Sequence, residues 1–226
     1  MLETLNNLDI NLFVYLNSFH NLYFDYFMWL ISGKFSWIPL YLLFIVVIFI
    51  KNWKQAIIIL ILMALVITIA DQLCSGLVKP LVERLRPSHN DSLNDVIHIV
   101  NNYRGGQYGF VSSHAGNCFG FAVFFSMLLR QKYFTIIMLI WALIVSYSRI
   151  YLGVHYPGDI LGGAILGSIS AIIVYYMYFY LTKKVKFVKV SNQKPFAYEY
   201  VLSLIIGVVC NLLILAVISA FMFHDI

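Results

Sequence analysis

An all-α membrane bundle of five to six transmembrane helices, preceded by an N-terminal interfacial helix, is the fold this chain predicts. Three observations predict it. The 226 residues are 62% hydrophobic and 11% charged, with a mean hydropathy of +0.85, whereas about a quarter of a soluble domain is charged. Six apolar runs recur along the chain, each approaching the roughly 20 residues that cross a 30 Å hydrocarbon layer. Lysine and arginine gather in alternate loops between those runs, the asymmetry that orients polytopic proteins. The length suits one membrane-embedded domain over residues 1–226 and leaves no room for a second, soluble one.

The elements follow in order. Residues 1–33 form the N-terminal interfacial segment: no Lys or Arg precedes Lys34, and no signal-peptide pattern is present. Within it, residues 11–31 are rich in Phe, Tyr and Leu but broken by Asn17, His20, Asn21 and Asp25, which predicts an amphipathic helix lying in the interface. A distorted first span is the alternative. The apolar runs at about 36–50, 55–78, 115–129, 133–147, 160–181 and 198–223 should be helices, because a backbone in lipid must satisfy its own hydrogen bonds and no barrel-like alternation is present. The run at 198–223 is an extra C-terminal span. Several runs reach only about 15 residues against the 20 needed, so their ends should continue as polar turns at headgroup depth.

Charge assigns the sides. Lys51 and Lys54, Arg130 and Lys132, and Lys183, Lys184, Lys186, Lys189 and Lys194 fall in alternate loops and read as cytoplasmic. Lys34, Lys79, Arg84, Arg86, Arg104 and Arg149 lie on the opposite face, which predicts a cytoplasmic (inner) membrane protein with these groups on the outer, periplasmic or extracellular side. The net charge of +5 is therefore topology and calls for no nucleic acid. Cys74, Cys118 and Cys210 sit in apolar surroundings without metal-ligand spacing and read as buried hydrophobes.

Polarity concentrates in three stretches on that one face. In the first, Lys79 and Arg86 are seven residues apart, so a helix after Pro80 would lean both side chains toward one point, with Pro87 ending it. Arg84 and Arg104 read as headgroup anchors. In the second, Ser112 and Ser113 precede His114 at the start of an apolar run, so one of them should cap a helix whose free N–H groups favour an anion. In the third, His155 stands four residues before Asp159, after Arg149 and Gly153. A helical turn there would let Asp159 accept the Nδ1–H bond, fix the tautomer and leave Nε2 free as a nucleophile. Residues 88–109 between the first two stretches are long and polar enough for a lid or rim. Asp71 near the end of the second run reads as a buried carboxylate hydrogen-bonded between helices.

Read as K-x6-R-P, V-S-S-H and S-R-x5-H-x3-D, the three stretches resemble the signature of the type 2 phosphatidic acid phosphatase and vanadium haloperoxidase superfamily, K-x6-R-P, P-S-G-H and S-R-x5-H-x3-D. The first and third parts match letter for letter; Val111 and Ser113 depart from Pro and Gly. The resemblance covers the motif core 79–159 and its flanking helices. It implies that Lys79, Arg86, Ser112, Ser113 and Arg149 grip a phosphate. His155 would attack phosphorus to give a phosphohistidine, His114 would protonate the leaving oxygen and Asp159 would orient His155. It also implies that no metal or other cofactor takes part.

The expectation is an integral membrane lipid phosphatase removing a terminal phosphate from a lipid phosphate or pyrophosphate, with undecaprenyl pyrophosphate as the first substrate and phosphatidic acid, phosphatidylglycerol phosphate or lipid A as competitors. Its partners would be that lipid and the bilayer, with no protein partner. A lipid-phosphate binding or transport protein is the non-enzymatic alternative, but binding alone needs only the cations. Halide oxidation would need vanadate in the same cradle, which a membrane-embedded bundle disfavours.

Overall fold

The computed structural model describes residues 2–51, 53–184 and 196–224 and is all-helical among them. Helix α1 (Leu2–Asn17) is followed by α2 (Leu22–Ser32), α3 (Ile38–Lys51) and α4 (Trp53–Asp71). The α4 helix runs on through a π-helical turn (Gln72–Val78) into α5 (Lys79–Val82). After the polar loops come α6 (Ser113–Leu129), α7 (Lys132–Tyr151), α8 (Pro157–Lys184) and α9 (Tyr198–His224).

Four helical stretches are long and apolar enough to cross a membrane: Trp53–Val82, Lys132–Tyr151, Pro157–Tyr180 and Tyr198–His224. The pair Leu22–Ser32 and Phe35–Ile50, bent by 74°, adds a fifth as one broken span. The apolar helix Ser113–Leu129 is shorter and packs at the centre against α4, α7 and α8. All six runs expected to be helical are so. Lys186, Lys189 and Lys194 lie outside the described residues.

The N-terminal segment differs from the single helix expected over 11–31: it breaks at residues 18–21. The cause is polar. Asn17 turns inward, its Nδ2 donating to the carbonyls of Ile150 (3.2 Å) and Tyr151 (2.9 Å) while its Oδ1 accepts the His98 N–H at 2.7 Å. Asn21 then caps α2, accepting the Phe24 N–H at 2.9 Å, as short polar side chains do at helix starts. Helix α2 packs against α7 and α9 and belongs to the bundle.

Lipid is as apolar as leucine, so helices in a membrane associate through close packing more than through burial. The most extensive contact, α6 on α8, is built on that rule. Gly116 and Gly120 face Gly163 and Gly167, and backbone touches backbone: a Cβ at 167 would stand 1.9 Å from the Gly116 carbonyl oxygen, and one at 163 would stand 2.2 Å from that of Ser112. This seam fixes the start of α6 beside the start of α8, and the site lies there. Gly167→Ala is expected to cost about 1–3 kcal/mol through overpacking, read as a lower melting temperature in detergent. An unchanged melting temperature would show that the seam tolerates a wider spacing.

Candidate active site

The first stretch does not fold as the sequence suggests. Helix α5 stops at Val82, and Glu83 takes a left-handed φ of 50°. Arg86 therefore lies in extended chain, and residues 84–86 pair with 107–109: Arg86 N–H donates to Gln107 O at 3.1 Å and Gly109 N–H to Arg84 O at 2.8 Å. Pro80 is inside a continuous helical run and not at its start. A proline ring clashes with the carbonyl four residues back, and the wider π-helical turn just before it relieves that crowding. The polar loop is thus closed at its base. It is pinned again where Ser88 Oγ donates to Arg104 O and Arg104 Nη1 donates to Ser88 O, both at 2.7 Å. Arg104, read from sequence as a headgroup anchor, is a loop clasp.

The third stretch folds as expected. Arg149 is in the last turn of α7, Gly153 turns the chain at φ 76°, and Pro157 opens α8. His155 is 2% exposed and Asp159 is fully buried. Nδ1 of His155 meets Asp159 Oδ2 at 3.2 Å, and the same oxygen accepts the Tyr156 N–H at 3.0 Å. Asp159 can only accept there, so Nδ1 carries the proton and Nε2 holds the lone pair. Arg86 Nη1 stands 3.0 Å from Nε2 and also donates to Val154 O at 3.0 Å, while Arg86 Nε donates to Tyr108 O at 3.1 Å. Glycine makes this fit possible: a Cβ at 109 would lie 2.9 Å from Asp159 Oδ2 and 3.2 Å from Arg86 Cγ.

Arg149 is buried, with Nη1 donating to Ser32 Oγ and Nη2 to Tyr103 OH at 3.3 Å. Its Nε is buried without a hydrogen-bond partner among the described residues. Both imidazoles feel it, since Arg149 is a charged neighbour of His114, and Arg86, Arg149 and Lys79 are those of His155. Lys79 in turn lies in the fields of Arg86, Asp71 and Asp159. Asp71 is half-buried and acts on this lysine as a charged neighbour. Burial first, and then Arg86, Arg149 and Lys79, hold the His155 imidazole well below its ordinary value.

The second stretch completes the group. Ser112 caps α6, its Oγ accepting the Ala115 N–H at 3.4 Å, and its own N–H donates to the Asp159 carbonyl at 2.9 Å. Ser113 Oγ pairs with Ser75 Oγ at 2.6 Å, and His114 follows in the first turn of α6. All eight residues singled out by the sequence therefore gather where α6 and α8 begin. Sequence reasoning missed Ser32, Ser75, Tyr103 and above all Arg84. Arg84 is no headgroup anchor: it bridges Asp9 at 2.7 Å and Asp159 at 3.2 Å. Isolated polar residues beside apolar runs carry no signal of such long-range pairing.

Residues 55–183 match the PAP2 superfamily. The lipid A 4'-phosphatase of Bacteroides thetaiotaomicron is 42% identical over 189 residues, 82% of this chain and 84% of that protein. The lipid A 4'-phosphatase of Porphyromonas gingivalis is 38% identical over 182 residues, 79% and 76% of the two chains. The crystal structure of Aquifex aeolicus LpxE has the same fold, with a TM-score of 0.59 over 75% of this chain and 95% of that one at 23% identity. With three motif stretches inside the matched residues and helices that span a membrane, the chain belongs to the PAP2 superfamily and is an integral membrane lipid phosphatase.

Proposed function

We propose that this phosphatase removes a phosphate monoester from the sugar headgroup of a lipid A-type glycolipid, with His155 as nucleophile. The observation that carries the mechanism is the polarisation of the His155 ring: Nδ1 is held by Asp159 while Nε2 faces Arg86, within the fields of Arg149 and Lys79. A neutral, oriented imidazole beside three cations suits attack on a phosphate whose equatorial oxygens carry the charge. Arg86, Arg149 and Lys79 grip those oxygens. The unpaired Arg149 Nε is one donor for them, and the Ser113 amide and the hydroxyls of Ser112 and Ser113 line the same helix start.

Nε2 of His155 bonds to phosphorus, the bond from phosphorus to the sugar oxygen breaks, and His114 gives that oxygen a proton. Water then attacks the phosphohistidine, returns a proton to His114 and releases inorganic phosphate with His155 restored. Asp159 stabilises the charge that His155 acquires.

The substrate reading moves from undecaprenyl pyrophosphate to lipid A because two lipid A 4'-phosphatases match across about four-fifths of this chain. The charge pattern supports the reading of an inner-membrane protein whose site opens on the outer side. Lys54, Arg130 and Lys132 stand at the opposite helix ends, and cations mark the cytoplasmic side.

Phosphate release from lipid A, undecaprenyl pyrophosphate, phosphatidic acid and phosphatidylglycerol phosphate tests the reading. Lipid A is expected to turn over fastest, with mass spectrometry locating the lost phosphate. Faster release from undecaprenyl pyrophosphate would overturn the substrate and leave the phosphatase standing. His114→Ala adds a chemical check. A sugar alkoxide is a poor leaving group and needs the proton, so general-acid loss costs about 10²–10⁴-fold there. A phosphate leaving group is expected to lose far less, and equal losses on both substrates would remove His114 from the acid role.

A further inference from the structure

The first helix lies outside the 55–183 stretch, yet it reaches the nucleophile through a chain of charged groups. Arg84 Nη1 donates to Asp9 Oδ2 at 2.7 Å and to Asp159 Oδ1 at 3.2 Å, and Nη2 donates to Asn6 Oδ1 at 3.0 Å. The guanidinium lies 4.0 Å over the Tyr156 ring, so it is held from three sides. Asp9 is fixed as firmly, because its Oδ1 accepts the Gly158 N–H at 2.7 Å at the positive end of α8. A Cβ at 158 would stand 2.8 Å from Asp9 Oδ2, so glycine leaves room for the Asp9 carboxylate against the start of α8. Phe13, fully buried, meets the Tyr156 ring edge-on at 5.3 Å and seats the helix.

The consequence falls on Asp159. One of its oxygens serves His155 and Tyr156, and the other, among the described residues, is held by Arg84 alone. A planar guanidinium offers donors in a fixed fork, so Arg84 sets the plane of the Asp159 carboxylate and with it the direction of the His155 bond. Asp9 keeps the guanidinium shared between two carboxylates. Without Asp9, Arg84 would close fully onto Asp159 and draw the carboxylate away from Nδ1. We propose that Asp9 and Arg84 are positioning residues that act through Asp159 on His155, which makes α1 part of the catalytic apparatus. The proposal rests on the reading of His155 as nucleophile.

Six variants test it, with phosphate release, single-turnover phosphohistidine formation, vanadate inhibition and melting temperature measured on each: Asp9→Asn, Arg84→Ala, Arg84→Lys, the Asp9→Asn/Arg84→Ala double, His155→Ala, and Asn17→Ala as a measure of α1 anchoring alone. A small misplacement of a reacting group costs up to about a hundredfold. On that scale Asp9→Asn is expected to lower kcat about tenfold and Arg84→Ala about a hundredfold. KM and vanadate inhibition should stay within about twofold, because the phosphate cradle is on the Nε2 side of the ring, away from Arg84. Arg84→Lys should recover part of the rate. The double variant should be no slower than Arg84→Ala, the non-additivity of residues on one path. Rates within about twofold of wild type for Asp9→Asn and Arg84→Ala, multiplicative losses in the double, or losses that track the melting temperature as in Asn17→Ala would each overturn the proposal. An active His155→Ala would instead defeat the nucleophile reading, whereas an inactive one beside wild-type Asp9→Asn and Arg84→Ala defeats the relay alone.

Discussion

His155→Ala is expected to lower phosphate release by about a thousandfold or more, with a melting temperature close to wild type. The methyl group leaves Asp159 still paired with Arg84 and with the Tyr156 N–H, so no buried charge is orphaned. What disappears is the lone pair proposed to take the phosphoryl group. The phosphorylated intermediate, trapped by acid-free quenching of labelled substrate, should vanish with it. Persistence of a labelled enzyme in this variant would point to another nucleophile.

The same residue sets a pH dependence with a definite sign. Its folded-state proton affinity is depressed by burial and by Arg86, Arg149 and Lys79, so the neutral ring survives as pH falls through the roughly 6.5 at which an ordinary imidazole is half-protonated. A plot of kcat/KM against pH, which reports the free enzyme, should hold its plateau through that value and drop only below it. Stability follows the same direction. The unfolded chain takes the proton first, so the contribution is present above about pH 6.5 and is lost as pH falls below it. An acid limb centred at pH 6.5 or higher would mean that the cations do not act on the nucleophile.

Arg86→Lys is the second large effect, although charge is conserved. Arg86 spans three acceptors at once: Tyr108 O from Nε, and Val154 O and His155 Nε2 from Nη1. An ammonium on a flexible stem cannot reproduce that planar fork. Two buried carbonyls then lose their donor, at about 1–3 kcal/mol for each one left unsatisfied, and the phosphate loses an oriented cation. Turnover is expected to fall about 10²–10³-fold with a lowered melting temperature. Wild-type kinetics for this lysine variant would show that a point charge suffices and that the fork is incidental.

How much of this was legible in the chain varies by element. The apolar runs behind α3, α4 and α6 to α9 were readable, because a span in lipid must be helical and apolar whatever its neighbours. The His155–Asp159 pair was readable for a similar reason: its geometry is one local turn. Arg86 was identified for the wrong reason. Its place follows from the left-handed Glu83 and from pairing with residues 107–109, not from helical spacing after Pro80. The break after Asn17 was hidden too, since its partners Ile150 and Tyr151 are over 130 residues away.

By itself, then, the sequence determined a helical membrane bundle with three polar stretches and the local His155–Asp159 pair, because each of these depends on local composition or on spacing within one turn. Only the tertiary structure decided that α2 joins the bundle, that Arg104 clasps the loop, and that Asp9 and Arg84 stand behind Asp159. Those placements depend on side chains meeting across 75 residues or more in the case of Asp9 and Arg84, and on a glycine seam that lets α6 and α8 touch backbone to backbone. Such encounters are set by packing in three dimensions, and no local pattern encodes them.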